Sequence, residues 1–118
     1  MKVRASSQRR EKKEKLGEAQ IGAVSDLFAV LSEPTRLRIL QMLQDGPASV
    51  GEIVEALGLK QANASKQLGI LHQAGVLARE KAGNSAIYSI DMPLVFDLCT
   101  LVCNRLRDQA EAKLKMLA

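Results

Sequence analysis

Apolar residues at Val24, Leu27, Phe28 and Leu31 recur at the three- and four-residue spacing of a one-sided helix, which predicts helix up to about Leu31. Ser32-Glu33-Pro34 breaks that pattern, because proline is tolerated only in the first turn of a helix. A second helix is therefore expected from about Pro34, carrying Leu37, Ile39, Leu40 and Leu43, and stopped by Asp45-Gly46-Pro47. Ser49-Val50-Gly51-Glu52 has the form of a capping box and opens a third helix through Leu57, with Gly58 as its C-terminal stop. After a short turn at Leu59-Lys60, the stretch Gln61 to Gln73 puts Ala64, Leu68 and Leu71 on one side of a helix and Asn63, Lys66, Gln67 and Ile70 on the other.

Ala78-Arg79-Glu80-Lys81 and Ala86-Ile87-Tyr88-Ser89-Ile90 flank the turn-forming cluster Ala82-Gly83-Asn84-Ser85, which predicts a β-hairpin. Helical spacing resumes from Met92 to about Leu114. Its first half, Leu94 to Leu106, is apolar almost all round, so in so small a chain it must be covered on two sides, by its own domain and by a partner. The expected fold class is mainly α with a small β-hairpin, in the order helix, helix, helix-turn-helix, hairpin, helix. No internal repeat is visible, and one domain over residues 18–118 follows an N-terminal arm over residues 1–17.

Charge changes the picture at the arm. The chain of 118 residues has a formal net charge of +4, and residues 1–15 hold seven Lys or Arg against Glu11 and Glu14. With 17 basic and 13 acidic residues in all, ten basic and eleven acidic remain for the rest, a near-neutral body. A basic arm of this kind is either a solvated, disordered tail or a contact to a polyanion through counterion release. No apolar run approaches the roughly 20 residues needed to cross a bilayer, and the N-terminus lacks the apolar core of a signal peptide. The expected location is therefore the cytoplasm, with no membrane partner. In that reducing compartment two cysteines are buried spectators, metal ligands or redox groups rather than a structural disulfide. Phe28, Tyr88 and Phe96 are the only aromatic residues, too few for the stacking platforms that hold single-stranded nucleic acid. A single histidine, no Gly-rich phosphate loop and no clustered carboxylates leave no constellation for an enzyme.

Residues 49–74 supply the parts of a helix-turn-helix, namely a positioning helix, a tight turn and a second helix with a polar face. Gln and Asn can make two-point contacts to adenine, Ser can bond to several bases, and Lys can reach guanine or phosphate. Gln61, Asn63, Ser65, Lys66 and Gln67 are the expected reading residues, the plain alternative being a solvated helix face. The hairpin favours the first reading: Arg79 and Lys81 alternate along its first strand and so point to one side, beside a Gly83-Asn84 tip suited to a phosphate backbone. A basic hairpin directly after a recognition helix is a wing.

With these parts in place the chain resembles the ArsR/SmtB family of winged-helix metalloregulators. The resemblance rests on residues 29–40 (Ala29-Val30-Leu31-Ser32-Glu33-Pro34-Thr35-Arg36-Leu37-Arg38-Ile39-Leu40), on Ser49 to Ile53, on Gln61 to Leu68, and on Leu71-His72-Gln73-Ala74-Gly75-Val76-Leu77 followed by the wing. It covers about residues 20–110. It implies a homodimeric repressor joined through the first and last helices, bound to an inverted repeat in double-stranded operator DNA without a cofactor, and released by an inducer. The sequence departs at Lys60, where family members often carry a Ser that caps the recognition helix.

Family ligand sites can be compared one by one. The arsenic and cadmium site on the third helix resembles Leu-Cys-Val-Cys, whereas this chain reads Ala48-Ser49-Val50-Gly51, without a thiol. The zinc site of the last helix uses His and carboxylates, but the corresponding segment reads Asp91-Met92-Pro93, and His72 lies at the end of the recognition helix as a surface residue. What remains is Cys99 and Cys103, four apart on one helix face, with Cβ atoms roughly 5–6 Å apart. Soft thiolates select soft acceptors, so the expected inducer is trivalent arsenic or antimony, or an organoarsenical, held by Cys99 and Cys103. Two other readings stay open. The same cysteines could sense oxidants or reactive sulfur, through a bond between subunits or a polysulfide longer than the disulfide that undistorted helix spacing forbids, or they could simply pack as small hydrophobes.

Overall fold

A computed structural model describes residues 14–118 of the protein. The basic arm expected over residues 1–17 therefore lies, for residues 1–13, outside the described residues. Helix α1 spans Glu18–Leu31 and α2 spans Pro34–Leu43. Between them the chain turns at Ser32, whose hydroxyl donates to the Ala29 carbonyl at 2.8 Å. Glu33 then caps α2 by accepting from the Thr35 amide at 2.9 Å, with Pro34 in the first turn, where its missing N–H costs nothing.

Strand β1, Ala48–Ser49, leads straight into α3, Val50–Leu57. The capping box is formed at that junction: the Glu52 amide donates to Ser49 Oγ at 3.1 Å and the Ser49 amide donates to Glu52 Oε1 at 2.8 Å. Gly58 ends α3 in the left-handed region with φ +66°, a conformation that a side chain would strain. Helix α4 covers Gln61–Gln73, and the strands β2, Leu77–Ala82, and β3, Ser85–Ile90, form the hairpin. The long α5, Leu94–Leu117, completes the order.

The three strands form one antiparallel sheet in the order β1-β3-β2. Its register pairs Leu77 with Ile90, Arg79 with Tyr88 and Lys81 with Ala86, closing on the two-residue tip Gly83-Asn84. Directly paired residues share a sheet face, so Arg79 and Lys81 lie on the same face as Leu77 and Tyr88. Only the base of that face is buried, because the hairpin runs out beyond the body. The core is largely aliphatic and is built from α2, α3, α4, the sheet and the start of α5: Ile39, Ile53, Leu68, Leu71, Val76 and Val95 are fully enclosed, with Leu40, Leu43, Leu77 and Tyr88 around them. Helix α1 contributes no buried residue and α5 only Val95. Every residue from Cys99 to Ala118 is exposed. Among the described residues, no helix is long and apolar enough to cross a membrane.

Candidate nucleic-acid interface and thiol groove

Helix α4 is seated by Ala64, Leu68 and Leu71, all fully buried, and this fixes which of its residues look outward. Gln61, Asn63, Ser65 and Lys66 are exposed on its N-terminal half. Lys60 occupies the N-cap with extended backbone and no side-chain cap bond, so the first amides of α4 are left without a side-chain acceptor from that position. Arg79 and Lys81 are both exposed on the outer part of the wing.

Gln67 departs from the sequence reading. It is only 8% exposed and lies on the seated side of α4, not among the outward residues. Ile70, expected beside it on the polar side, is half-buried. The physical reason is helical phase: Ala64, Gln67, Leu68 and Leu71 follow the i, i+3, i+4, i+7 pattern of a buried stripe, and Gln67 occupies its second position. That spacing was the available signal, obscured by the polarity of the residue.

A buried amide needs partners, and Gln67 has two. Its Oε1 accepts from Arg36 Nη1 at 2.8 Å, and its Nε2 donates to Asn63 Oδ1 at 3.1 Å. Arg36 is held in turn by the last turn of α1, where Nε donates to the Val30 carbonyl at 2.6 Å and Nη2 to the Ala29 carbonyl at 3.3 Å. One guanidinium thus ties α1, α2 and the outward-facing Asn63 of α4 together. Sequence reasoning gave Arg36 no part in the site.

Cys99 and Cys103 are free and exposed. Both open onto a groove of about 410 Å³ lined by Phe28 and Leu31 of α1, Leu37 of α2, and Leu98, Val102 and Leu106 of α5. Cys99 also borders a smaller cavity of about 290 Å³ between α2 and α5, which includes Arg38, Gln41, Gln44 and Thr100. Arg107 Nη2 donates to Cys103 Sγ at 3.8 Å and Arg107 Nη1 to Asn104 Oδ1 at 3.3 Å. Among the described residues, no group of three or more His, Cys, Asp or Glu side chains could hold a metal ion. One chain therefore offers a bridging ligand two sulfurs in an apolar trough, and not the four ligands of structural zinc.

Two carboxylates at helix N-termini carry shifted titrations. Glu33 is held below the usual carboxylate value chiefly by the Thr35 amide, and Glu52 by the Ser49 amide, each bond favouring the charged form.

The chain is similar in sequence and fold to known proteins. A family described as "Helix-turn-helix domain" matches residues 31–80, from the end of α1 into the wing. An HTH-type transcriptional regulator of Mycobacterium tuberculosis, Rv0081, is 43% identical over 75 residues, which make up 63% of this chain and 66% of that protein, just under two thirds of its length. Its crystal structure superimposes with a TM-score of 0.73 at 34% identity, covering 83% of this chain and 99% of the other. The antimony-specific transcriptional repressor AntR matches at 30% identity with a TM-score of 0.73, covering 85% of this chain and 91% of that one. A homodimeric winged helix-turn-helix DNA-binding domain of Mycobacterium bovis, described as a possible ArsR-family regulator, matches at 25% identity with a TM-score of 0.68, covering 81% of this chain and 92% of that chain.

Proposed function

Because the chain belongs to the ArsR/SmtB family of winged helix-turn-helix transcriptional regulators, we propose that it is a homodimeric repressor which leaves its operator when trivalent arsenic or antimony bridges Cys99 and Cys103. The observation that carries this reading is the placement of both thiols, exposed and one helical turn apart, in a groove walled by α1, α2 and α5. Within a single copy neither sulfur is packed away.

Operator recognition is assigned to Gln61, Asn63, Ser65 and Lys66 at the start of α4, with Arg79 and Lys81 of the wing on the phosphate backbone. Gln67 acts behind them. The second copy is called for by α1 and α5, which leave Ile21, Phe28, Leu101, Val102 and Leu106 roughly half exposed or more. Apolar surface of that continuity is what a partner helix pair covers, and the M. bovis relative is homodimeric. Two-fold symmetry then calls for an inverted repeat with half-sites about one helical turn apart.

The groove and the interface share residues, and this gives the inducer its purchase. A metalloid seated between Cys99 and Cys103 would sit against Phe28, Leu31 and Leu106, so loading the thiols changes how α1 and α5 meet the other copy. The two recognition helices would then be re-spaced. A coupling of about 1–3 kcal/mol is enough to change occupancy severalfold to a hundredfold. With two sulfurs per chain, arsenite completes its shell with solvent, a small thiol or a sulfur of the other copy, whereas a methylated arsenical needs only the pair.

The test is release of labelled DNA, selected by the protein from random duplexes, on titration with arsenite, antimonite, zinc or an organic polysulfide. Metalloid release of wild type but not of Cys99→Ser or Cys103→Ser supports the reading. Release by polysulfide alone would replace metalloid sensing with reactive-sulfur sensing at the same thiols.

A further inference from the structure

We propose that Arg36 determines base specificity without touching DNA, by fixing which end of the Asn63 amide faces the groove. This rests on the reading that the exposed face of α4 enters the major groove.

The chain of hydrogen bonds from Arg36 through Gln67 to Asn63 has only one possible polarity. A guanidinium has donors and no acceptor. Arg36 Nη1, 2.8 Å from Gln67, can therefore be satisfied only by the amide oxygen, which places Gln67 Oε1 toward Arg36. The nitrogen end of Gln67 then points the other way, along α4. It donates to Asn63 at 3.1 Å, which only an oxygen can accept. Asn63 Oδ1 is thereby turned inward and its Nδ2 outward. Since Gln67 is 8% exposed, water has little access to offer it an alternative partner. Arg36 itself cannot turn away, because Nε and Nη2 are both engaged by the carbonyls of Val30 and Ala29.

The outward end of Asn63 is thus a donor. In the major groove a donor matches the acceptor edges, guanine N7 and O6 or thymine O4, and is mismatched to the N4 amino group of cytosine. Adenine offers both an acceptor and a donor there and discriminates less. An acceptor in the same place would reverse the choice between guanine and cytosine. Arg36 reaches the DNA sequence only through this polarity, so its role is distinct from phosphate contact and from packing.

The decisive variant is Gln67→Glu, which has the same shape and keeps the pair with Arg36. Its second carboxylate oxygen can only accept, so Asn63 must turn its Nδ2 inward and present Oδ1 to the groove. Duplexes are selected from a random library by wild type, Asn63→Ala, Gln67→Glu and Arg36→Met proteins, and Kd values for guanine and cytosine variants are measured at the position whose preference Asn63→Ala removes. Wild type is expected to prefer guanine or thymine there. Gln67→Glu is expected to move the preference to cytosine, with the guanine-to-cytosine Kd ratio changing by about tenfold or more. Arg36→Met should flatten the preference at that position and leave the others intact. Should Arg36→Met fold poorly, Gln67→Glu still decides.

Gln67→Glu selecting the same base as wild type, at a position that Asn63→Ala does alter, overturns the proposal while leaving Asn63 as a reading residue. Asn63→Ala changing no preference at all overturns both this proposal and the assignment of Asn63 to the interface.

Discussion

Asn63 is exposed at the start of α4, with one end of its amide held from behind. Removing that amide by Asn63→Ala is expected to cost about 1 kcal/mol on the selected operator, the worth of a one-point contact, and far less on unrelated DNA. Arg79→Ala, in contrast, should weaken every sequence alike and lower the slope of log K against log salt by about one. Equal loss on all sequences for both variants would remove Asn63 from base reading. At this scale the sequence was legible where polarity and helical phase agree. Asn63, Ser65 and Lys66 are outside, as their chemistry suggests. Gln67 is inside because its neighbours Ala64, Leu68 and Leu71 set the phase, and its cost of burial is offset by Arg36, a residue 31 positions away. Pairings across that distance leave no mark in local spacing.

The helix ends were readable for a related reason, since caps are local. Ser49 and Glu52 form the predicted reciprocal bonds, and Ser49→Ala is expected to destabilise the fold by about 1 kcal/mol, seen in chemical denaturation. Gly58→Ala adds a Cβ at φ +66° and should cost about 1 kcal/mol through backbone strain, although nothing crowds the site. Acid sensitivity also lives at these caps. Glu33 and Glu52 titrate below their ordinary 4.5 in the folded chain, so the stability they contribute is complete above that pH and is lost as pH falls through their lower folded values. Glu52→Gln keeps an acceptor for the Ser49 amide but no charge. Its Tm should therefore fall less steeply than that of wild type as pH drops below about 4.5, and an unchanged slope would show that the bond carries no linkage. Strand β1 was missed because two residues are too short to show a period. They pair only because β3 runs past them, Ala48 opposite Tyr88 and Ser49 opposite Ile87. Helix α5 starts at Leu94 rather than Met92, with Pro93 as its N-cap.

For the whole molecule, the informative surface is the one left uncovered. Phe28 at 57%, Val102 at 58% and Leu101 at 67% exposure would stand in water on a lone copy. Val102→Glu is expected to convert a dimer into monomers in sedimentation at micromolar concentration, with a matching loss of operator affinity; a wild type that is already monomeric would contradict the assembly. The almost continuously apolar stretch of α5 announced a second covering, but the sequence could not show that Phe28, Leu31 and Leu37 meet the two thiols in one groove. That meeting is tertiary, and it is where assembly and control come together. The most direct test of this account is fluorescence anisotropy of labelled operator on addition of antimonite or arsenite, with wild type beside the Cys99→Ser and Cys103→Ser variants. Either metalloid is expected to release wild type at about one equivalent of bound ligand per thiol pair, with both variants binding DNA normally and staying bound. Wild type remaining on its operator at saturating metalloid, or the variants leaving it as readily as wild type, would contradict it.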